Sequence, residues 1–450
     1  MPRFELKEGR SNKFWEITRE ENVLLTRWGR IGTEGQEKTQ EFKQEYEARS
    51  AYEKQVQEKT KKGYTRIKPA DTAARPKSNK QLEAAILRAP DEAEGYLVYG
   101  DWLQSVGDPR GELIAVQHAL PQAKGARAKV LMEREVALLQ QHRDTLLGAP
   151  LSSMCRSLWL TVQWHLGFIR SARLGVSSYG DDPEFQFDET LAMLLAHPSA
   201  RFLQELTLGL AADDGQNEYG DLIKRIAKKA PKTLRQVFIG AFVYPRETEI
   251  SWTHVGDVSP LYKALPQLRS LRLCGGDVHL GKINLPELRE FTVETGGLPL
   301  SAVKSIAAAK WPKLEKLEVW FGSASYGAGG QVKHLQSILD ADGLPELEHL
   351  GLCNAEFTND LVTVLPKSRV LKQLQTLDLS RGTLTDKGAE VLLANAAAFK
   401  HLQKLNLTQN LLSPKAAKSL SKLCADVVVG HQRRDTSDED DDHRYVAVGE

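Results

Sequence analysis

A leucine pattern constrains the fold of this 450-residue chain more than any other feature. The motif is a leucine followed, after two residues, by an apolar residue and, after one more residue, by a second apolar residue. It recurs as LQELTL from 203, LRQVFI from 234, LRSLRL from 268, LREFTV from 288, LEKLEV from 314, LEHLGL from 347, LQTLDL from 374 and LQKLNL from 402. Segments of helical periodicity, such as DLIKRIAKKA from 221, fill the gaps. Because one such strand cannot bury its leucines alone, the copies predict a stacked array of strand and helix units.

The array resembles leucine-rich repeat proteins of the ribonuclease-inhibitor type, in which strands and helices alternate. We predict such an α/β solenoid over 149–430. The motif leucines point inward, so the residues between them face the concave side. Aromatic and arginine side chains there, and in two loops that follow strands, form a predicted protein-partner surface. Its residues are Phe238, Arg272, Trp320, Trp252 and Tyr326. The alternative is that these aromatics pack under their own loops.

A second distinctive stretch, Arg27-Trp28-Gly29-Arg30-Ile31-Gly32, follows a strand-like run and precedes a glycine turn. Side chains alternate between the faces of an extended chain, so Trp28 and Arg30 should point the same way with Gly29 between them. An indole and a guanidinium on one face suit a sugar and a phosphate. The alternative is that Trp28 is a core residue and Arg30 a surface ion-pair partner.

Residues 1–70 resemble the WGR domain, which is named for this tripeptide. The family is best known from poly(ADP-ribose) polymerases and also occurs alone in bacterial proteins. Two strand-like runs, RWGRIGTEGQ from 27, a charged helix over 43–62 and EKTKKGY from 58 carry the resemblance. In the polymerases the domain helps to grip DNA at a break, which implies contacts near the terminal nucleotide for Trp28 and Arg30. The resemblance implies a binding domain and no activity.

Charge supports nucleic-acid binding only mildly. Residues 1–70 contain 16 Lys and Arg against 12 Asp and Glu, a net charge of +4, and dedicated DNA-binding modules are usually more basic. Lys59, Lys61 and Lys62, at the end of the charged helix, are predicted phosphate contacts. A charge-rich helix can instead be a solvated face. The whole chain has a net charge of +1, which predicts no general attraction to DNA or a membrane.

The segment between the two motifs predicts a linker and a helical module. Proline and small polar residues indicate a linker over 71–80, and helical periodicity follows over 81–148, including one helix over 129–147. LEAAILRAPDEAEGYLVYGDWLQSVGDPRGELIAVQ, from 82, resembles a repeat-companion domain of bacterial multidomain proteins, for which no activity is assigned. The matching elements are Asp101-Trp102-Leu103 and Gly107-Asp108-Pro109-Arg110. We interpret Trp102 as a packing residue.

Motifs for catalysis and metal binding are missing from the sequence. It contains no HExxH, no GxxxxGK[ST] and no GxSxG, and its four cysteines lie far apart. We therefore expect no catalytic residue, no metal and no cofactor. No apolar run approaches the roughly 20 residues that span a bilayer, and the charged amino terminus lacks the apolar core of a secretory signal, so we expect a cytoplasmic protein. The acidic tail, 431–450, is expected to be disordered.

Three functions remain open from the sequence. The first is a non-enzymatic adaptor, in which the WGR-like domain holds nucleic acid, most simply a DNA end, and the repeats hold a protein. The second is a protein-interaction scaffold in which the WGR-like domain makes protein contacts, as its low net charge suggests. The third is an enzyme that uses carboxylates of the concave face, namely Glu290, Glu294, Glu318 and Asp378. Alternating acidic residues are common on such surfaces without catalysis, which disfavours the third.

Overall fold

The chain folds into two compact units, Met1–Pro76 and Lys77–Glu450. The computed structural model describes residues 3–8, 11–20, 22–31, 33, 35–67, 78–175, 186–211, 217–434 and 444–449. The division falls inside the linker predicted over 71–80. The predicted helical module and the predicted repeats share the second unit.

The described residues of the first unit form an antiparallel five-stranded sheet and one helix. Its elements are β1 (Arg3–Glu8), β2 (Ser11–Glu20), β3 (Val23–Arg30), β4 (Gln36–Glu41), α1 (Glu45–Lys61) and β5 (Thr65–Ile67). The strand order is β4-β3-β2-β1-β5. Trp15, Ile17 and Leu24 are buried beneath α1, which contributes Tyr52 and Val56 to this core. Helix α1 has an apolar stripe on one side only, so it covers one face of the sheet.

Helices begin the second unit, as α2 (Lys80–Arg88), α3 (Ala93–Ser105), α4 (Arg110–Ala119), α5 (Gly125–Gln141) and α6 (Arg143–Arg156). The single helix predicted over 129–147 is wrong, because α5 ends at Gln141 and α6 begins at Arg143. Helix α6 continues past the predicted boundary at 148/149, where Gly148 kinks it with a φ of 72°. Leu146 packs among the helices, whereas Leu147 joins the core of the repeats, so the helical segment is continuous with the array.

The residues that carry the companion-domain resemblance have structural roles. Arg110 is buried, donates from Nε to Asp108 Oδ1 at 2.9 Å, and lies over the Phe168 ring at 5.3 Å. Trp102 stacks on Tyr99 with 5.6 Å between ring centres. The Arg110 contact holds α4 to β7, whereas the Trp102 stack lies within α3. The packing interpretation of Trp102 agrees with this geometry.

In the part of the second unit that the structure describes, the remaining residues contain an eleven-stranded sheet. Its strands are β6 (Leu160–His165), β7 (Phe168–Leu174), β8 (Glu205–Leu208), β10 (Gln236–Ile239), β12 (Ser270–Cys274), β14 (Glu290–Glu294), β15 (Lys316–Gly322), β16 (His349–Ala355), β17 (Thr376–Asp378), β18 (Lys404–Asn406) and β19 (Asp426–Val428). A separate three-stranded sheet contains β9 (Asn217–Glu218), β11 (Thr253–Asp257) and β13 (Gly276–His279). Strands β7 to β19 of the large sheet are parallel and lie in chain order.

The register aligns one apolar residue of every predicted motif in a continuous row. This row is Leu206, Val237, Leu271, Phe291, Leu317, Leu350, Leu377, Leu405 and Val427. All except Val427, at the last strand, are buried. Each member packs on the equivalent residue of the next strand, so the core of the large sheet is continuous from strand to strand.

Helices follow most of the strands and cover the apolar side of the sheet. They are α7 (Phe187–Ala196), α8 (Gly220–Lys229), α9 (Pro260–Ala264), α10 (Leu300–Ala308), α11 (Gln336–Leu339), α12 (Thr358–Val364), α13 (Asp386–Ala394), α14 (Ala396–Phe399) and α15 (Pro414–Leu420). Polar contacts also join the repeats. Asn410 is fully buried, donates from Nδ2 to the carbonyls of Leu379 and Leu407, and accepts from the amide of Leu384.

Replacing this asparagine should destabilise the array. Asn410→Ala leaves the Leu379 carbonyl and the Leu384 amide without this partner, whereas the Leu407 carbonyl keeps its bond from Gln432 Nε2, so we expect the free energy of unfolding to fall by about 2–4 kcal/mol. Asn395→Ala is the control, because Asn395 is exposed at the end of α13 and should change stability by less than about 0.5 kcal/mol. Urea denaturation followed by circular dichroism measures both. Equal midpoints for the two variants would contradict the role of Asn410.

Candidate functional site

Trp28 and Arg30 lie on one face of β3, near its end. The burial of β3 alternates, with Leu24 and Thr26 buried on the side that faces α1. Trp28 and Arg30 continue this row beyond the cover of the helix, and both are exposed, Trp28 by 36%. Within the described part of the chain, Arg30 has no ion-pair partner. The structure therefore agrees with an outward indole and guanidinium, and disagrees with a core tryptophan and a paired arginine.

Arg27 shows the contrast with a structural arginine of the same strand. It points to the opposite face of the sheet, where Nε donates to Glu16 Oε2 at 2.7 Å and the guanidinium lies 5.6 Å from the centre of the Phe14 ring. Phe14 and Glu16 are buried. Arg27 is thus held by packing and charge within the domain, whereas Arg30, three residues later, extends into solvent.

Gly29 allows the turn after β3 to fold closely against the strand. A Cβ at this position would lie 2.8 Å from Gly35 Cα and 3.2 Å from Phe14 Cε1. Gly35 has a φ of 78°, which favours glycine. The amide and hydroxyl of Thr33 both donate to the Arg30 carbonyl, at 3.1 and 2.8 Å. The middle residue of the motif therefore fixes the backbone between the two side chains that face outward.

Lysine side chains from β2 and α1 lie near Trp28 and Arg30. Lys13 is the cross-strand neighbour of Arg30, as Trp15 is of Trp28. Lys59 Nζ lies over the Trp15 ring at 5.3 Å and over the Tyr64 ring at 5.0 Å. Burial lowers the pKa of Lys59, and the nearby charges of Lys62 and Lys13 lower it further. We call Lys13, Trp28, Arg30, Lys59 and Lys62 the cationic face.

Two of the three helix lysines predicted from the sequence belong to the cationic face. Lys61 is exposed and follows Lys59 by two residues, which places it on the other side of α1. Lys13 was not predicted. Its alternation with Trp15 and Ile17 puts it on the helix-covered side of β2, but only the pairing of β2 with β3 brings it to Arg30.

An apolar cluster lies at the carboxyl ends of the repeat strands. It consists of Phe238, Phe242, Tyr244, Ile250, Cys274, Trp320, Ala447 and Val448. Phe238 and Trp320, predicted to share one patch, are both in it. Tyr244 and Ile250 come from the long segment between β10 and β11. We call the surface formed by the first six of these residues the tail groove, because the other two belong to the carboxyl-terminal tail.

Arginines stack on both central aromatics of the tail groove. The Arg272 guanidinium lies 4.4 Å from the centre of the Phe238 ring, and its Nη2 pairs with Glu294 Oε1 at 2.8 Å. The Arg381 guanidinium lies 4.5 Å from the centre of the Trp320 ring, whose Nε1 donates to Glu318 Oε1 at 3.0 Å. These contacts engage both aromatic rings within the protein itself.

Burial raises the pKa of Glu294, and Arg272 opposes the rise. It also raises the pKa of Cys274 well above the ordinary value. Burial favours a higher pKa for Glu318 as well, but Lys316, at 3.0 Å, and the Trp320 donor outweigh it and lower the pKa. Glu294 and Glu318 are therefore held by fixed partners.

The predicted disorder of the tail is wrong for its last residues. Arg444–Gly449 is described by the structure, with Val446 and Val448 buried, and Val448 packs in the cluster with Phe238 and Trp320. Residues 431–434 are also described, whereas the acidic run from 435 to 443 lies outside the described residues. The tail therefore covers part of the surface predicted for a protein partner.

The other predicted partner residues lie around this surface. Tyr326 is exposed by 40%, and a Cβ at Gly449 would lie 3.0 Å from its Cε2, so the end of the tail reaches the Tyr326 ring. Trp252 is exposed and follows the buried Ile250. Arg272 is exposed at its edge but engaged with Phe238 and Glu294. The sequence analysis predicted that these residues share one surface, but the sequence contains no signal that the tail covers it.

In the described ranges, no three His, Cys, Asp or Glu side chains are arranged to hold a metal ion. A search of the same ranges finds no helix of the length and apolarity needed to cross a bilayer.

The first unit is a small domain with an outward aromatic and cationic face, and its sequence identifies the family. Residues 3–71 match the WGR domain. The amino-terminal unit therefore contains a WGR domain, and Trp28-Gly29-Arg30 is its motif. WGR domains generally bind nucleic acid. The match leaves the rest of the chain unassigned.

Solved structures share features of the fold. A Bacteroides fragilis protein is similar over 96% of this chain and 97% of its own, with 23% identity and a TM-score of 0.50. At this identity the likeness shows the fold alone. An internalin of Listeria monocytogenes matches 54% of this chain and 56% of its own, with 16% identity and a TM-score of 0.29, too low for any argument. No significant match is found among curated proteins.

Removing the partner of Glu294 should expose the cost of burying that carboxylate. Arg272→Met leaves the ionised carboxylate unpaired, so we expect a loss of about 1–3 kcal/mol near neutral pH. The loss should shrink as the pH falls, because the folded state already holds the Glu294 proton more tightly than the unfolded chain. Urea midpoints at about pH 7.5 and 5 measure this.

Two controls accompany this measurement. Arg289→Met breaks an exposed ion pair with Glu315 and should cost less than about 0.5 kcal/mol. Adding Glu294→Gln to Arg272→Met should recover most of the loss, because no buried charge remains. A loss that is the same at both pH values would show that Arg272 acts through packing alone.

Proposed function

We propose that this protein is a non-enzymatic adaptor whose WGR domain binds DNA ends and whose leucine-rich repeats bind a protein partner. The observation that supports the first half is the cationic face. Trp28 and Arg30 project from one side of β3, Lys13 is the cross-strand neighbour of Arg30, and Lys59 and Lys62 add charge at the adjoining end of α1. The domain uses Arg27 for its own stability and leaves Arg30 available.

The chemistry of the cationic face favours an end over the interior of a duplex. A planar indole binds by stacking on a base or a sugar, and base faces are open only at ends or in single strands. The four cations of the face can pair with phosphates on either side of such a stack. Trp28 would then cap the terminal nucleotide, and Arg30 would bind its phosphate.

The adaptor half of the proposal is supported by the array. Consecutive parallel strands with inward leucines form an extended surface of the kind that repeat proteins use for binding. On that surface Glu294 pairs with Arg272, Glu318 with Lys316, and Asp378 accepts from Asn406 at 2.7 Å. Carboxylates engaged in this way favour a binding surface over a catalytic one.

Loss of the indole or the guanidinium should weaken binding to DNA ends. In the full chain, Trp28→Ala and Arg30→Ala should each raise the Kd for a blunt duplex about tenfold, because a base stack contributes about 1–3 kcal/mol and a hydrogen bond between charged groups contributes about 1.5–3 kcal/mol. Trp28→Phe should retain most of the affinity. Fluorescence anisotropy measures the binding, with a duplex closed by hairpins at both ends as the comparison. The wild-type chain should bind the closed duplex more weakly.

The competing scaffold function predicts the opposite results. If Trp28 makes protein contacts, Trp28→Ala will abolish capture of a protein partner and leave DNA binding unchanged or undetectable at low salt. Equal affinity for blunt and closed duplexes would retain nucleic-acid binding but remove the preference for ends.

The helix lysines should differ in their effect on salt dependence. Lys59→Met removes a cation of the cationic face, so the slope of log Kd against log salt should fall by about one. Lys61→Met is the matched control from the same helix, and should change neither slope nor affinity by a measurable amount. The two titrations need only a series of salt concentrations. Equal slopes for the two variants would place the phosphate contacts elsewhere.

A further inference from the structure

The carboxyl-terminal segment Arg444–Gly449 crosses the ends of several repeat strands. Arg433, in the last described stretch before it, donates to the carbonyls of Gln409, Gly382 and Tyr445. The Ala447 amide then donates to the Arg381 carbonyl at 2.9 Å. Val448 then forms hydrogen bonds with Asn354, and Gly449 lies against the Tyr326 ring. The segment thus runs back toward earlier repeats.

Asn354 binds the backbone of the segment at two points. Its Oδ1 accepts from the Val448 amide at 3.0 Å, and its Nδ2 donates to the Val448 carbonyl at 2.6 Å. Asn354 is buried at the end of β16, with a φ of 52°. A side-chain amide that contacts both backbone groups of one residue recognises an extended peptide without reading its side chain.

The surface beneath the segment is largely complete without it. Trp320 keeps its bond to Glu318 and its contact with Arg381, and Phe238 keeps Arg272. Asn354 retains a bond from Nδ2 to the Thr295 carbonyl at 3.4 Å. Detachment of the segment would therefore leave few buried polar groups unsatisfied, whereas a strand of the array could not leave without breaking its ladder on both sides.

The shape of the tail groove selects a peptide with small residues near its apolar ones. Val446 and Val448 are buried, and the smaller Ala447 lies between them. A Cβ at Gly296 would lie 2.1 Å from the Gly449 carbonyl oxygen, so the groove admits this backbone only because residue 296 has no side chain. The path fits an extended chain with valines two apart and a glycine after them.

We propose that the tail groove is a binding site for an extended apolar peptide of a protein partner, and that the chain's own Arg444–Gly449 occupies it until the partner displaces it. The inference rests on the proposed protein-binding role of the repeats. The segment 435–443, nine residues with six carboxylates, joins the tail to the array. Such a short connection keeps the tail at a high effective concentration, so a free peptide competes poorly until the tail is released.

A labelled synthetic peptide, RYVAVGE, tests the groove directly. It reproduces residues 444–450. The full chain with Val448→Asp places a charge in the apolar cluster, which should release the tail and open the groove. We expect this variant to bind the peptide at least tenfold more tightly than the wild-type chain does. A peptide with the same Val448→Asp change should not bind either chain. A chain that ends after Arg434 is a second opened form.

Hydrogen exchange distinguishes a displaceable tail from a fixed part of the fold. In the wild-type chain, the Val448 amide should exchange at least a hundredfold faster than the Leu377 amide in the centre of the sheet. Equal protection of the two amides would overturn the proposal. The proposal would also be overturned if the peptide bound neither opened chain while circular dichroism showed that both chains are folded.

Capture of partners separates this inference from the proposed function. A partner that binds the Val448→Asp chain more strongly than the wild-type chain supports the tail groove as its site. Equal binding of a partner to both chains would overturn the proposal that the tail groove is its site, but would still support protein binding elsewhere on the array. DNA binding, measured in parallel, should be unchanged in the Val448→Asp chain.

Discussion

The aligned apolar row of the large sheet is the constraint on which the second unit depends. Leu206, Leu271 and Leu377 occupy the same position in their strands, and each packs on its equivalent in the next strand. Because side chains alternate along a strand, a shift of one residue would turn the whole row to solvent. The register therefore also fixes the opposite face, and with it the positions of Phe238, Arg272 and Trp320.

In the WGR domain, a close approach between two backbone segments fixes the direction of the exposed side chains, as the register does in the large sheet. Gly29 lies against Gly35 and Phe14, so the turn after β3 is held beneath the strand. The residues on either side, Trp28 and Arg30, then have one available direction, outward. Both faces of β3 serve the packing of the domain along most of the strand, and only its end, beyond the cover of α1, is left for a ligand.

The repeating strands were predictable because each carries its own signal. The eight leucine motifs all form strands of one sheet, since a local pattern repeated in the chain is stacked in the fold. The edge strand β4 has no such signal, since all six of its residues are exposed and polar. Lys13 joins Arg30 only through strand pairing, and Val448 joins Trp320 through a contact between distant parts of the chain. Contacts of this kind have no local pattern.

The arginine stacks of the tail groove have a consequence for the free protein. Two uncovered aromatic rings on one surface would contribute to an apolar patch that favours aggregation. Here each ring carries a guanidinium, held in turn by Glu294 in one case and by the hydroxyl of Ser380 in the other. The surface can therefore be uncovered without exposing a large apolar patch, because the guanidinium groups keep it hydrated until another chain binds.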